Sequence, residues 1–153
     1  MMKKKIENLI KKIKKCAQEV YKELGSGWSE EIYQKALEVI LREKRIKFEA
    51  QRVLPISFKG YIIGEGQPDL IVWFEKEKKK VAIVIDLKAT QNIQEDHKVQ
   101  VERYIQELKK QLKENEDVYP IGFIFDFTKP SQKSAEGVKD LKGLKILEVK
   151  TKV

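Results

Sequence analysis

Val81-Ala82-Ile83-Val84-Ile85-Asp86-Leu87-Lys88 is an apolar, strand-forming run that closes on a carboxylate and an amine; the apolar run before it opens on Pro68-Asp69. Such a run reads as a buried strand. An ionised carboxylate inside a buried strand costs several kcal/mol unless something pairs with it. Asp86 therefore needs a partner. The sequence offers a divalent cation shared with a second carboxylate, Asp69, and the ammonium of Lys88 two residues away. Together these are the equipment for hydrolysing a phosphodiester.

Side chains alternate along a strand, so Asp86 and Lys88 project from one face, about 6.5–7 Å apart, while Leu87 points the other way. Residues 75–80 (Glu-Lys-Glu-Lys-Lys-Lys) form a charged hairpin tip between the two runs. A tip with an even number of residues, such as the four from Glu77 to Lys80, sets Asp69 on the same face, opposite Lys88 and diagonal to Asp86. A slip of one residue sends it to the other side.

Working outward, Ile6, Leu9, Ile10, Ile13, Cys16, Ala17, Val20 and Leu24 recur at helical spacing with lysines between them, which predicts an amphipathic helix over 3–24 ended by Gly25-Ser26-Gly27. A second helix starts near Ser29, a good cap, with Glu30 and Glu31 suiting its positive first turn, and runs to about Arg45. Ile32, Tyr33, Ala36, Leu37, Ile40 and Leu41 mark its inward side, and Glu30 lies on the edge of that side. Glu31, Lys35, Glu38 and Arg42 align on a face expected to be solvated. Strand periodicity then covers Ile46–Phe48, Val53–Phe58, Tyr61–Ile63, Asp69–Phe74 and Val81–Leu87, largely antiparallel, with turns at Lys59-Gly60 and Gly64–Gly66. A third helix is expected over 94–114, with Val101, Tyr104, Ile105, Leu108 and Leu112 inward. Ile121–Phe127 reads as a buried strand, 129–143 as a polar loop and Leu144–Val149 as a final edge strand.

With 153 residues, 41% of them hydrophobic, the chain has the size of one domain. The expected division is an N-terminal helix (1–24), a core (25–127) and a loop with a C-terminal edge strand (128–153). The net charge of +8 favours polyanions without specifying a fold. Cys16 is the only cysteine. It excludes an intrachain disulfide and falls on the buried stripe of the first helix. No secretory pattern and no membrane-length apolar stretch occurs, which leads to the expectation of an intracellular protein with no membrane partner. Zinc spacing, a phosphate-cradling Gly loop and a nucleophile elbow are absent from the sequence.

Two further fragments sit around the acids. Gly27-Trp-Ser-Glu30-Glu-Ile-Tyr33 matches G-x-x-E-x-x-Y, and Gln100-Val-Glu-Arg-Tyr104 matches Q-x-x-x-Y. In order and spacing, with Pro68-Asp69 and Asp86-Leu87-Lys88 between them, the chain from about Val20 to Phe127 resembles the GxxExxY proteins, a branch of the PD-(D/E)xK nuclease superfamily. Asp86 stands where Glu is more usual in that branch, a departure the superfamily pattern permits.

The resemblance implies an α/β (α+β) fold with a restriction-endonuclease-like core: a mixed central sheet flanked by helices in the order αβββαβ, here with an extra N-terminal helix. It also implies a nuclease using Mg²⁺, with Mn²⁺ as substitute, on nucleic acid, DNA rather than RNA. Carried over residue by residue, Glu30 is the helix-borne acid and Asp69 and Asp86 are the principal metal ligands, with the Leu87 backbone carbonyl beside them. Lys88 is the catalytic lysine, and Gln100, Tyr104 and His97 face the bound phosphate.

For each of these residues a plain structural role is the alternative: a turn aspartate at Asp69, a strand-end pair at Asp86 and Lys88, a core ring at Tyr104, packing or solvation at His97. Trp28 and Trp73 have the choice of stacking on bases or packing. For the whole chain, the alternatives are a nucleic-acid-binding module without catalysis and an interaction domain that docks or homodimerises through its first helix; the lysine face of that helix is either simply solvated or grips phosphates without reading sequence.

Overall fold

In the computed structural model, residues 2–89, 93–128, 137–141 and 144–153 are described. Among the described residues, three helices, α1 (Met2–Leu24), α2 (Glu30–Glu43) and α3 (Glu95–Gln111), accompany nine strands. These are β1 (Phe48–Ala50), β2 (Leu54–Phe58), β3 (Tyr61–Gly66), β4 (Leu70–Lys76), β5 (Lys79–Lys88), β6 (Glu116–Val118), β7 (Ile121–Asp126), β8 (Lys139–Leu141) and β9 (Leu144–Lys150). The main sheet runs β1-β4-β5-β7-β9-β8, and β6 pairs with the start of β5; β2 and β3 form a separate two-stranded sheet. β1, β4 and β5 are antiparallel, whereas β6 and β7 lie parallel to β5. This is the mixed α/β architecture expected of a restriction-endonuclease-like fold.

Alternation along the strands feeds two cores. Leu70, Val72, Ile83, Ile85, Leu87, Phe123 and Phe125 face α1 and α2, meeting Ile6, Ile13, Val20, Tyr33, Leu37 and Leu41. Ile71, Ala82, Val84, Ile124, Leu147 and Val149 face α3, meeting Val101, Ile105 and Leu108. Each large side chain so buried contributes about 1.5–3 kcal/mol before chain entropy is counted. β5 carries apolar residues to both layers, which is why its sequence is continuously hydrophobic rather than alternating. Cys16 is buried on α1 as expected. No helix of the described residues is long and apolar enough to cross a membrane.

Several local expectations change. The β4–β5 tip is Glu77-Lys78, two residues rather than four, because Lys76 pairs with Lys79 and Leu70 with Ile85. The even count keeps Asp69 on the face of Asp86 but sets it level with Asp86 instead of Lys88. Gly64–Gly66 is strand, not turn, because β3 continues into pairing with Leu54–Ile56. Leu144–Lys150 is an inner strand, covered by β8, while positions 129–136 and 142–143 of the expected loop lie outside the described residues.

On α2, Ile32, expected inward, is exposed. Glu38, expected in solvent, is 3% exposed, because Gln34 and Arg42 donate hydrogen bonds to its two oxygens at 3.1 and 3.2 Å. Of the inward residues expected on α3, Val101, Ile105 and Leu108 are buried, whereas Tyr104 and Leu112 are only half-buried.

Candidate active site

The site forms where β4 begins and β5 ends. By the register, Asp69 lies across from Asp86 just before β4 starts. Its backbone N–H donates to Asp86 Oδ1 at 3.0 Å, and its own Oδ2 accepts the Leu87 N–H at 2.8 Å. A residue's N–H and C=O leave the same side of an antiparallel strand, so the Leu87 carbonyl is directed toward Asp69 as well. The Lys88 carbonyl goes the other way and accepts from Phe127 N–H at 3.0 Å.

Glu30 arrives from the opposite layer, and the G-x-x-E-x-x-Y fragment explains how. Gly27 sits at φ 105°, a conformation that favours glycine. Ser29 caps α2 by accepting from Ile32 N–H, so that Glu30 becomes the first helical residue. One turn later the Tyr33 ring is fully buried and stacked on Phe127, 4.5 Å between centroids. Its hydroxyl donates to the Gly25 carbonyl at 2.6 Å and accepts from Trp28 N–H at 3.2 Å. The loop is thereby clamped to the end of β7. Glu30 Oε2 then reaches Ala89 N–H, at 3.4 Å, just past the end of β5. Trp28 itself is about half exposed, with its indole N–H on the Leu24 carbonyl, and Trp73 is held by Glu49.

Proximity of like charges in a buried place shapes the electrostatics. Asp86 is 3% exposed, and burial first, then the neighbouring Asp69 carboxylate, push its pKa up to about 7; Lys88 opposes the rise. Asp69 is also raised, by burial first, against the Leu87 N–H and the Lys88 ammonium. The high proton affinity of this pair is the demand that a cation satisfies. The donor set of Asp86, Asp69 and the Leu87 carbonyl is all oxygen, which fits a hard divalent ion. Among the described residues no three His, Cys, Asp or Glu side chains are gathered to hold an ion, since Glu30 is turned to the Ala89 amide.

The remaining expected residues lie on α3. His97 Nδ1 accepts the Gln94 N–H at 3.0 Å, which caps the helix and leaves its proton on Nε2. Burial, then the Lys88 charge, lower its pKa. Tyr104 lies over the start of the site: a Cβ on Gly66 would stand 2.7 Å from its ring, and its hydroxyl bonds the Gln67 backbone. Burial and Asp86 raise its pKa. Gln100 is exposed on α3, one turn before Tyr104. The structure thus brings Asp69 and Asp86 together with Lys88 next on the same face, sets Glu30 apart on the Ala89 amide and His97 and Tyr104 at the margin, and leaves Gln100 exposed.

Some supporting residues escaped the sequence reading. Gln34 is buried; its Nε2 donates to the Asp69 carbonyl (3.2 Å) and to Glu38, and its Oε1 accepts from Gln51 Nε2 (3.0 Å). Gln51 also approaches Asp69 Oδ1 at 3.4 Å from a backbone at φ 56°. A hollow of about 350 Å³ opens here, lined by Glu30, Glu31, Gln34, Lys35, Gln51 and Asp69. A signal existed: Glu30, Gln34, Glu38 and Arg42 recur every four residues, one polar line along α2 that points at the site. Asp126 and Lys145, both buried, form a second unforeseen pair at 3.2 Å, in register beside Lys88.

A search of curated proteins and a search of solved structures found no match to this chain. The family model described as PD-(D/E)XK nuclease superfamily matches residues 7–136, most of the sequence and all of the site just described. Two strand-borne acids followed by a lysine on the same sheet face, in a chain matched over that span, place it: the chain belongs to the PD-(D/E)XK nuclease superfamily.

Proposed function

We propose that the chain is a Mg²⁺-dependent nuclease of the GxxExxY branch that hydrolyses phosphodiester bonds in DNA rather than RNA, its residues 1–153 acting as one unit. The observation that carries this reading is the facing of Asp69 and Asp86 at one sheet end, with Lys88 next on the same face. Asp69, Asp86 and the Leu87 carbonyl would hold the ion, and Glu30 would join when it leaves the Ala89 amide. A bound divalent ion supplies an acidified water and neutralises phosphate charge.

The protein groups do the rest. Lys88 sets an ammonium beside the acid pair, where it stabilises negative charge developing on the phosphoryl oxygens. His97, neutral with its proton on Nε2, offers a donor from the start of α3, and Tyr104 and Gln100 line the approach along that helix. Gln34 and Gln51 hold the Asp69 loop in place.

The test compares cleavage of matched DNA and RNA substrates by wild type, Asp86→Asn and Lys88→Ala, with Mg²⁺, Mn²⁺ or EDTA. Cleavage of DNA by wild type with metal, lost in both variants, is expected. Equal rates in all three proteins reject the assignment.

One observation favours a second reading, a nucleic-acid-binding module without catalysis: one oxygen each of Asp69, Asp86 and Glu30 is engaged by a backbone amide. Calorimetry separates the two. Mn²⁺ uptake that disappears in Asp69→Asn supports the nuclease; salt-sensitive DNA binding with no metal uptake supports the module.

A further inference from the structure

Away from the carboxylates, Lys44 and Arg45 directly follow α2, and Lys47 immediately precedes β1. Across a hollow of about 460 Å³ stand Lys5 and Lys12 of α1, with Leu9, Ile46, Trp73 and Phe74 as an apolar floor. A second hollow of about 300 Å³ shares Lys12 and Lys44 and adds Lys15, Glu19 and buried Cys16. The two adjoin, with Lys12 and Lys44 in both linings, and together they form a groove along α1 and the end of α2.

Its charge is unbalanced. Lys5, Lys12, Lys15, Lys44, Arg45 and Lys47 line it from two segments, α1 and the α2–β1 connection, against only two acids in the lining, Glu19 and Glu75. Glu75 is already engaged by Lys47 at 2.8 Å and by Lys80 at 3.5 Å. Like charges facing each other across a concave, partly apolar wall raise the local potential well above that of an isolated surface lysine. An anion relieves that repulsion.

The spacing selects the kind of anion. Lys5, Lys12 and Lys15 span ten residues of α1, about 15 Å at 1.5 Å per residue, long enough to meet more than one successive phosphate of a strand. Lys44, Arg45 and Lys47 form the other bank. Lys44 directly follows α2, whose fourteen residues start at Glu30, so the groove is about 20 Å from that acid, about six base pairs along a duplex.

We propose that this groove is a second nucleic-acid site, a phosphate track that holds the sugar-phosphate backbone at a distance from the cleavage site. The proposal rests on the nuclease reading for its substrate and not for its charge. It binds backbone without reading bases, because lysines on phosphate oxygens carry no sequence information.

The test measures, in EDTA, the salt dependence of binding of a duplex of about 30 base pairs to wild type and to Lys12→Gln/Lys15→Gln/Lys44→Gln. All three side chains are exposed and outside the carboxylate site, so the variant is expected to keep its circular dichroism and its melting temperature. A control triple, Lys78→Gln/Lys113→Gln/Lys152→Gln, removes the same charge elsewhere. The slope of log K against log salt should fall by about 2–3 in the groove variant and by less than about 1 in the control.

Equal slopes in wild type and groove variant, or equal losses in groove variant and control, overturn the track. ATP binding that is abolished in the groove variant while the duplex slope stays unchanged assigns the groove to a free nucleotide and overturns it too. Cleavage by wild type with Mg²⁺ is read separately. A protein that shows the slope change but never cuts keeps the groove and loses the nuclease reading, and one that cuts with unchanged slopes does the reverse.

Discussion

Asp69 and Asp86 are cross-strand neighbours locked by the backbone: the Asp69 N–H donates to Asp86 Oδ1 at 3.0 Å, while Asp69 Oδ2 takes the Leu87 N–H at 2.8 Å. The two amides hold two like charges side by side in a buried corner. They create the site and destabilise the ion-free fold at the same time.

That destabilisation has a definite pH sign. Asp86 titrates near 7 in the folded protein, against an ordinary value of about 3.9. Its proton therefore favours the folded state fully below about pH 4, and the benefit is lost as pH rises through about 7. In EDTA, wild-type stability should fall between pH 5 and pH 8 by a few kcal/mol at most. Asp86→Asn should be flatter and more stable than wild type at pH 8, and inactive. Denaturant melts at the two pH values check this, and a wild-type curve that rises in parallel with the variant rejects it.

Gly66 and Tyr104 are matched in shape. A Cβ at Gly66 would stand 2.7 Å from Tyr104 Cε1, so Gly66→Ala should destabilise by about 1–3 kcal/mol. Adding Tyr104→Ala should return part of that loss, giving a coupling energy of about 1 kcal/mol in a double-mutant cycle. Additive losses would show that the ring does not bear on the glycine.

Asp126 and Lys145 test the pair beside Lys88. Asp126→Asn leaves a buried ammonium without its carboxylate and should cost about 3–5 kcal/mol, whereas Asp126→Leu with Lys145→Met should recover most of it. Thermal unfolding of the single and double variants decides between this outcome and a loss that persists.

Gln51 separates positioning from stability. Gln51→Asn keeps a residue that tolerates φ 56° but shortens the arm that reaches Gln34 and Asp69. Stability should change by less than about 1 kcal/mol. Metal-dependent cleavage should fall about tenfold through kcat, equivalent to about 1.4 kcal/mol. An unchanged kcat removes Gln51 from the support of Asp69.

Much of this was legible in the chain because periodicity reports which side of an element is wet. The α1 stripe, the Ser29 cap, Glu30 at the edge of α2 and the two-sided burial of β5 all follow from local chemistry. Gln34 was missed because a polar side chain at a helical position looks solvated until its partner, here the Asp69 loop, comes from 35 residues away, and Glu38 was misread with it because its burial depends on that Gln34 and on Arg42. Asp126 and Lys145 were hidden in the same way, since pairing across β7 and β9 has no counterpart in linear spacing.

The sequence by itself determined the three helices and most of the strands, Asp86 and Lys88 on one strand face, and a basic balance suited to polyanions, because all of these depend on residues close in the chain. Only the tertiary structure decided that the hairpin tip has two residues, which sets Asp69 level with Asp86. It alone decided that Glu30 crosses from the other layer to the end of β5, and that lysines of α1 and α2 face one another across a groove. Those relations join segments far apart in sequence, and packing, not local propensity, fixes them.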